Sequence, residues 1–150
     1  LEAPQGPVLR DLAIGTLSIL EHTPLKALGL NFDAFFSVES SEAWDVLSNR
    51  LAPASNWEAM LDNPGMRQII VDGQRQGCDS DRVQFRVQPS RSREIMCAVN
   101  QHYQLDASPD LTVRDCHNKA LKALRDDWVG FVEFARASSV SIVAPPDSPI

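Results

Sequence analysis

Polar and apolar residues alternate most cleanly between Arg82 and Pro89, where Val83, Phe85 and Val87 interleave with Arg82, Gln84, Arg86 and Gln88. A period of two puts alternate side chains on opposite faces and predicts a half-buried strand. Leu25–Val38 keeps the same rhythm, with Leu28, Leu30, Phe32, Ala34, Phe36 and Val38 set against Ala27, Gly29, Asn31, Asp33 and Phe35. Gly29 inside that run predicts a bulge or a close backbone approach. Glu94–Leu105 sets Ile95, Cys97, Val99, Tyr103 and Leu105 against Met96, Ala98, Asn100, His102 and Gln104, and Met66–Gly73 supplies one more strand, the second of the four in chain order. The short connections among the last three strands favour antiparallel hairpins.

Helical spacing governs the rest. Val8, Leu9, Leu12, Ile14, Leu17, Ile19 and Leu20 predict a first helix over Val8–Glu21, stopped by His22-Thr23-Pro24 because a residue before proline leaves the α region. Ser40 or Ser41 is placed to cap a helix reaching Leu51, and a second short helix is expected over Ser55–Leu61 before the turn Asn63-Pro64-Gly65. Ser108, Pro109 and Asp110 introduce a last helix to about Ala137, with Val113, His117, Ala120, Leu121, Leu124, Trp128, Phe131, Val132 and Ala135 on one stripe. Within it, Asp126-Asp127 reads as a solvated face beside a core tryptophan. Gly130 costs about 1 kcal/mol against alanine, offset by close helix–sheet packing or by a partner's approach.

The order α-β-α-α-β-β-β-α predicts an α+β, two-layer sandwich: a mainly antiparallel four-stranded sheet with helices on one face and a polar opposite face. Residues 1–137 are expected to form one domain. Residues 138–150 are expected to form a Pro-rich C-terminal tail, in which Val140, Ile142 and Val143 either dock as an edge strand or stay loose. The chain opens at Leu1 without a signal-peptide pattern, which leads to the expectation that it is trimmed at its N-terminus.

Composition narrows the function classes. The net charge of −6 disfavours nucleic acid, because neutralising phosphates takes a basic surface. The charge is uneven: Arg67–Arg93 holds six arginines and three acids, net +3, and the remainder carries −9. One basic patch on an acidic body suits an anionic ligand or an acidic partner. No apolar run reaches the ~18 residues that span a bilayer, so no membrane partner is expected. Cys78, Cys97 and Cys116 form no CxxC pair and suggest free thiols in a cytoplasmic setting.

Motif chemistry is sparse. His22, His102 and His117 are scattered, and Cys116 and His117 point about 100° apart on a helix, so no metal site is expected. Neither GxGxxG, a P-loop nor GxSxG occurs, leaving no phosphate cradle, cofactor motif or nucleophile elbow to name, and no catalytic residue. The aromatic residue of the third strand, Phe85, points with the apolar set, unlike an RNA-stacking platform. One constellation stands out. If the first and fourth strands are neighbours, Asn31, Asp33, Asn100 and His102 converge with Arg82 and Arg86 on the polar sheet face, where they could bind an anion or shuttle a proton.

The stretches His22-Thr23-Pro24-Leu25-Lys26-Ala27-Leu28-Gly29-Leu30-Asn31-Phe32, Asn49-Arg50-Leu51-Ala52-Pro53 and Pro64-Gly65-Met66-Arg67 resemble conserved hypothetical proteins of bacteria. That resemblance covers the first half of the chain and implies a bacterial source but no chemistry. The residues as a whole lead to a non-enzymatic binding or assembly module with a protein partner or self-association. The alternative is a small-molecule (anion)-binding domain or enzyme using the polar sheet face.

Overall fold

The alternating stretches fold as strands of one sheet, and the helical stripes pack across it. The computed structural model describes residues 6–38, 40–78, 80, 82–90 and 93–144. The elements run α1 (Gly6–Ile19), β1 (Ala27–Ser37), α2 (Ser41–Leu51), a 3-10 turn (Ala54–Asn56), β2 (Ile69–Gly73), β3 (Arg82–Ser90), β4 (Glu94–Gln104), α3 (Val113–Lys122), a π-turn (Ala123–Asp127) and α4 (Trp128–Val143). The fold is α+β, with an antiparallel sheet ordered β1-β4-β3-β2.

Register places the core. β1 pairs β4 with Phe32 opposite Val99, and β4 pairs β3 with Val99 opposite Phe85, so the apolar sets of three strands share one face. Leu30, Val83, Val87, Ile95, Cys97, Val99 and Tyr103 are buried there against Ala120, Leu124, Phe131 and Ala135 of the helices. The edge residues Leu28, Phe32 and Phe36 remain half-buried.

Local differences from the sequence reading have local causes. Pairing runs unbroken through Gly29, opposite His102, so there is no bulge. The glycine instead clears space for the Asn100 amide, whose Nδ2 lies 3.3 Å from where a Cβ would stand. Ser40 precedes α2 in extended geometry, but its hydroxyl makes no capping bond. The second short helix shrinks to the three-residue 3-10 turn. The last helix begins at Thr112 rather than at Ser108–Asp110, because Thr112 and Asp115 form a reciprocal capping box. Those bonds hold the Asp115 carboxyl below its ordinary range, the Thr112 hydroxyl contributing most.

That helix does not stop near Ala137. α4 continues to Val143, so Val140, Ile142 and Val143 are helical and not an edge strand. Arg50 of α2 donates to the carbonyls of Ile142 and Ala144, holding this end in place. The rest of the expected tail, residues 145–150, lies outside the described residues. His117 is buried on the stripe and donates from Nε2 to the Thr23 carbonyl at 2.7 Å, tying α3 to the linker after α1.

α4 runs over β1 and β4. Phe134 packs edge-on against Phe85 of β3 with centroids 5.8 Å apart, while Trp128 lies beside Gly6 of α1. These two side chains point about 120° apart on the helix, and α1 packs against α3 and the π-turn.

Candidate functional site

The six residues singled out from the sequence share the open face of the sheet. Pairing aligns them in rows: His102 between Gly29 and Arg82, Asn100 between Asn31 and Gln84, and Ala98 between Asp33 and Arg86. Asn31 and Asn100 meet directly, Nδ2 of Asn100 donating to Oδ1 of Asn31 at 2.7 Å. His102 instead contacts Oε1 of Gln104, 3.3 Å away. Asp33, Arg82 and Arg86 are exposed and form no ion pair among the described residues. The four cavities described are lined by other residues, and on this face Asp33, Arg82 and Arg86 stand in solvent while Asn100 and His102 are half-buried. A carboxylate and guanidiniums held there stay in high dielectric, where charge interactions are weak.

A second polar constellation lies on the opposite face, between β4 and the helices. Gln101 occupies an inward position of β4 and is fully buried, as is Tyr103 beside it. Tyr103 donates its hydroxyl to Asp127 Oδ2 at 3.0 Å and accepts from Gln101 Nε2. Gln101 Oε1 in turn accepts from Nη1 of Arg75 at 3.2 Å. Cys78 completes the cluster, with Sγ 3.3 Å from Gln101 Nε2 and 3.8 Å from Asp127 Oδ2. A guanidinium and a carboxylate are thus joined through two neutral groups, each polarising the next.

Each member is positioned by its element. β4 supplies Gln101 and Tyr103 with the two-residue spacing of one face. The π-turn inserts an extra residue before α4 and turns Asp127 inward, whereas Asp126 stays outside with Lys122, 3.8 Å away. The expected solvated Asp-Asp pair is therefore split. Gly130 admits Arg75: Nη2 donates to the Gly130 carbonyl at 2.9 Å, and a Cβ at that position would lie 3.0 Å from Nη2. The guanidinium also lies over the Phe134 ring, 4.9 Å from its centroid.

Burial is the largest influence on the Tyr103 hydroxyl and pushes its pKa up. The contacts with Cys78 and Asp127 push the same way, and the Gln101 bond opposes them. The neutral hydroxyl serves here as the hydrogen-bond donor to Asp127. Among the described residues no group of three or more His, Cys, Asp or Glu side chains could hold a metal ion, and no helix is long and apolar enough to cross a membrane.

The basic segment is also divided. Arg82 and Arg86 lie on the open face, and Arg75 lies on the helix-side face beside a 410 Å³ cavity. No family model matches the chain, nor does any curated protein or solved structure.

Proposed function

We propose that this domain is a non-enzymatic assembly module that self-associates through the flank formed by α1 and β1. The observation that carries this reading is the outer stripe of α1. Val8, Leu9, Leu12 and Ile19 are 61–81% exposed, although the other side of the helix packs on the core. The largest apolar patch on an ordinary monomer is often itself functional.

β1 presents an eleven-residue edge without proline, and no other strand of the described residues covers it. A two-fold axis beside β1 would join the two edges into an eight-stranded sheet and bring the two α1 stripes together. Pairing Phe32 with itself across the axis would set Asn31 of each copy beside Asp33 of the other, so that the two carboxylates do not oppose one another. The four α1 side chains alone expose roughly 400–500 Å² of apolar surface per copy, short of the ~800 Å² a stable interface buries. The strand edge and the exposed parts of Leu28, Phe32 and Phe36 would add to that area. A bacterial, cytoplasmic setting with free thiols belongs to the same reading; neither nucleic acid nor membrane is invoked as a partner.

Sedimentation velocity at tens of micromolar is the test. A dimer is expected, and the double substitution L12D/I19D should give a monomer with an unchanged circular dichroism spectrum. A wild-type chain that sediments as a monomer throughout would sink the proposal.

A further inference from the structure

We infer that the 410 Å³ cavity beside the β2–β3 loop is a binding site for a small apolar carboxylate, with Arg75 as the residue that holds the anionic group. This site is separate from the self-association flank, since it lies on the β3 side of α4.

The charge of Arg75 is incompletely answered by its surroundings. Arg75 is half-buried and held by the Gln101 side-chain oxygen, the Gly130 carbonyl and the Phe134 ring. All three partners are neutral. They fix the orientation of the guanidinium and use two of its five N–H donors, leaving three for another acceptor. No carboxylate among the described residues touches it. Asp127 is committed to Tyr103, and Asp72, although it lines the cavity, accepts from Gln84 Nε2 at 3.0 Å. Leaving a partly desolvated cation without a counter-charge is costly, whereas a rigid guanidinium fork is suited to a carboxylate.

The cavity supplies the second half of the specificity. Val71, Val83, Phe85 and Phe134 form its apolar wall next to the guanidinium. Its 410 Å³ lies at the lower end of the range of small-molecule sites. A guanidinium beside an apolar wall of that size, with Asp72 at the rim engaged by Gln84, selects a monocarboxylate with a short aryl or alkyl tail. Gly130 fits the same design, because the helix gives up intrinsic stability there to let the guanidinium approach.

The probe is 4-phenylbutyrate, with 4-phenylbutyramide as its neutral counterpart, titrated into the full chain and followed by amide NMR. Saturable shifts are expected in the 71–76 segment and around Phe85 and Phe134, with the amide at least about tenfold weaker, as loss of a charge-assisted bond implies. R75Q should weaken the acid to the level of the amide. Because Arg75 also fastens its loop, V71W serves as a second variant. It fills the cavity from a half-exposed position and should abolish binding with the melting curve unchanged. Equal affinity for acid and amide, shifts confined to the Arg82–Arg86 face, or no saturable shift up to about 10 mM would each overturn the inference.

Discussion

Tyr103 and Gln101 stand two residues apart on β4, facing the helices where a purely apolar pair would pack without polar cost. Their burial is tolerable because every polar atom of the pair finds a partner. Replacing Tyr103 with phenylalanine removes one hydroxyl and leaves the Gln101 amide and the Asp127 carboxylate with only the weaker contacts to Cys78 Sγ. Y103F should therefore cost about 1–3 kcal/mol, read from the urea unfolding midpoint at constant m-value. The same hydroxyl sets an alkaline dependence. Its folded-state pKa is raised above the ordinary 10.0, so the unfolded chain releases the proton first. The stability it contributes is complete below pH 10 and falls as pH rises beyond that point. In Y103F the alkaline limb of the stability profile should be shallower than in the wild type.

Gln101 shows how much of this was readable. Alternation along Glu94–Leu105 assigns it to the same face as Val99 and Tyr103, so a polar side chain in an apolar register was already visible. Gly130 in mid-helix was the other visible signal. Neither residue could be matched to Arg75, because 26 residues separate Arg75 from Gln101 and 55 separate it from Gly130. Only the packing of the β2–β3 loop against α4 brings them together.

Among the elements, the π-turn carries the most consequence for the site. It lies between two α-helical segments and lets each bury its own stripe: Cys116, His117 and Ala120 before it, Phe131, Ala135 and Ser139 after it. Deleting the exposed Arg125 would restore a regular helix and rotate everything beyond it by about 100°. Asp127 would then leave Tyr103, and the α4 stripe would leave the sheet. Loss of cooperative thermal unfolding is expected, whereas R125A, which keeps the turn length, should melt like the wild type. Strands were legible to within a few residues because their period is strict and their pairing antiparallel. Helix ends were less so. The capping box at Thr112 and the extension to Val143 depend on bonds to Asp115 and from Arg50, contacts that compete with weaker local signals.

For the whole molecule, the unequal treatment of the two sheet faces is the dominant fact. One face is covered by helices and holds the thiols Cys97 and Cys116 out of solvent, while Cys78 sits half-buried in the β2–β3 loop. Burial raises the Cys97 thiol, against an opposing Ser139 contribution and with a smaller one from Asp33 in the same direction; this suppresses the reactive thiolate. Ellman's reagent should accordingly modify one thiol quickly in the native protein and all three in urea. Rapid reaction of two or more would contradict the packing of the helix layer.

The sequence by itself determined the α+β class, the four strands with their faces, and the polar positions of Asn31, Asp33, Arg82, Arg86, Asn100 and His102. Those properties follow from periods of two and of 3.6, which any chain must obey to bury its apolar side chains. Tertiary structure alone decided the pairing of β1 with β4 that aligns those polar positions, and the exposure of Asp33, Arg82 and Arg86 to solvent on this face. It also placed Arg75, Gln101, Tyr103, Cys78 and Asp127 together on the other face. Such proximity depends on strand order, on one extra residue in a helical turn and on the path of a loop, and none of these leaves a periodic trace in the chain.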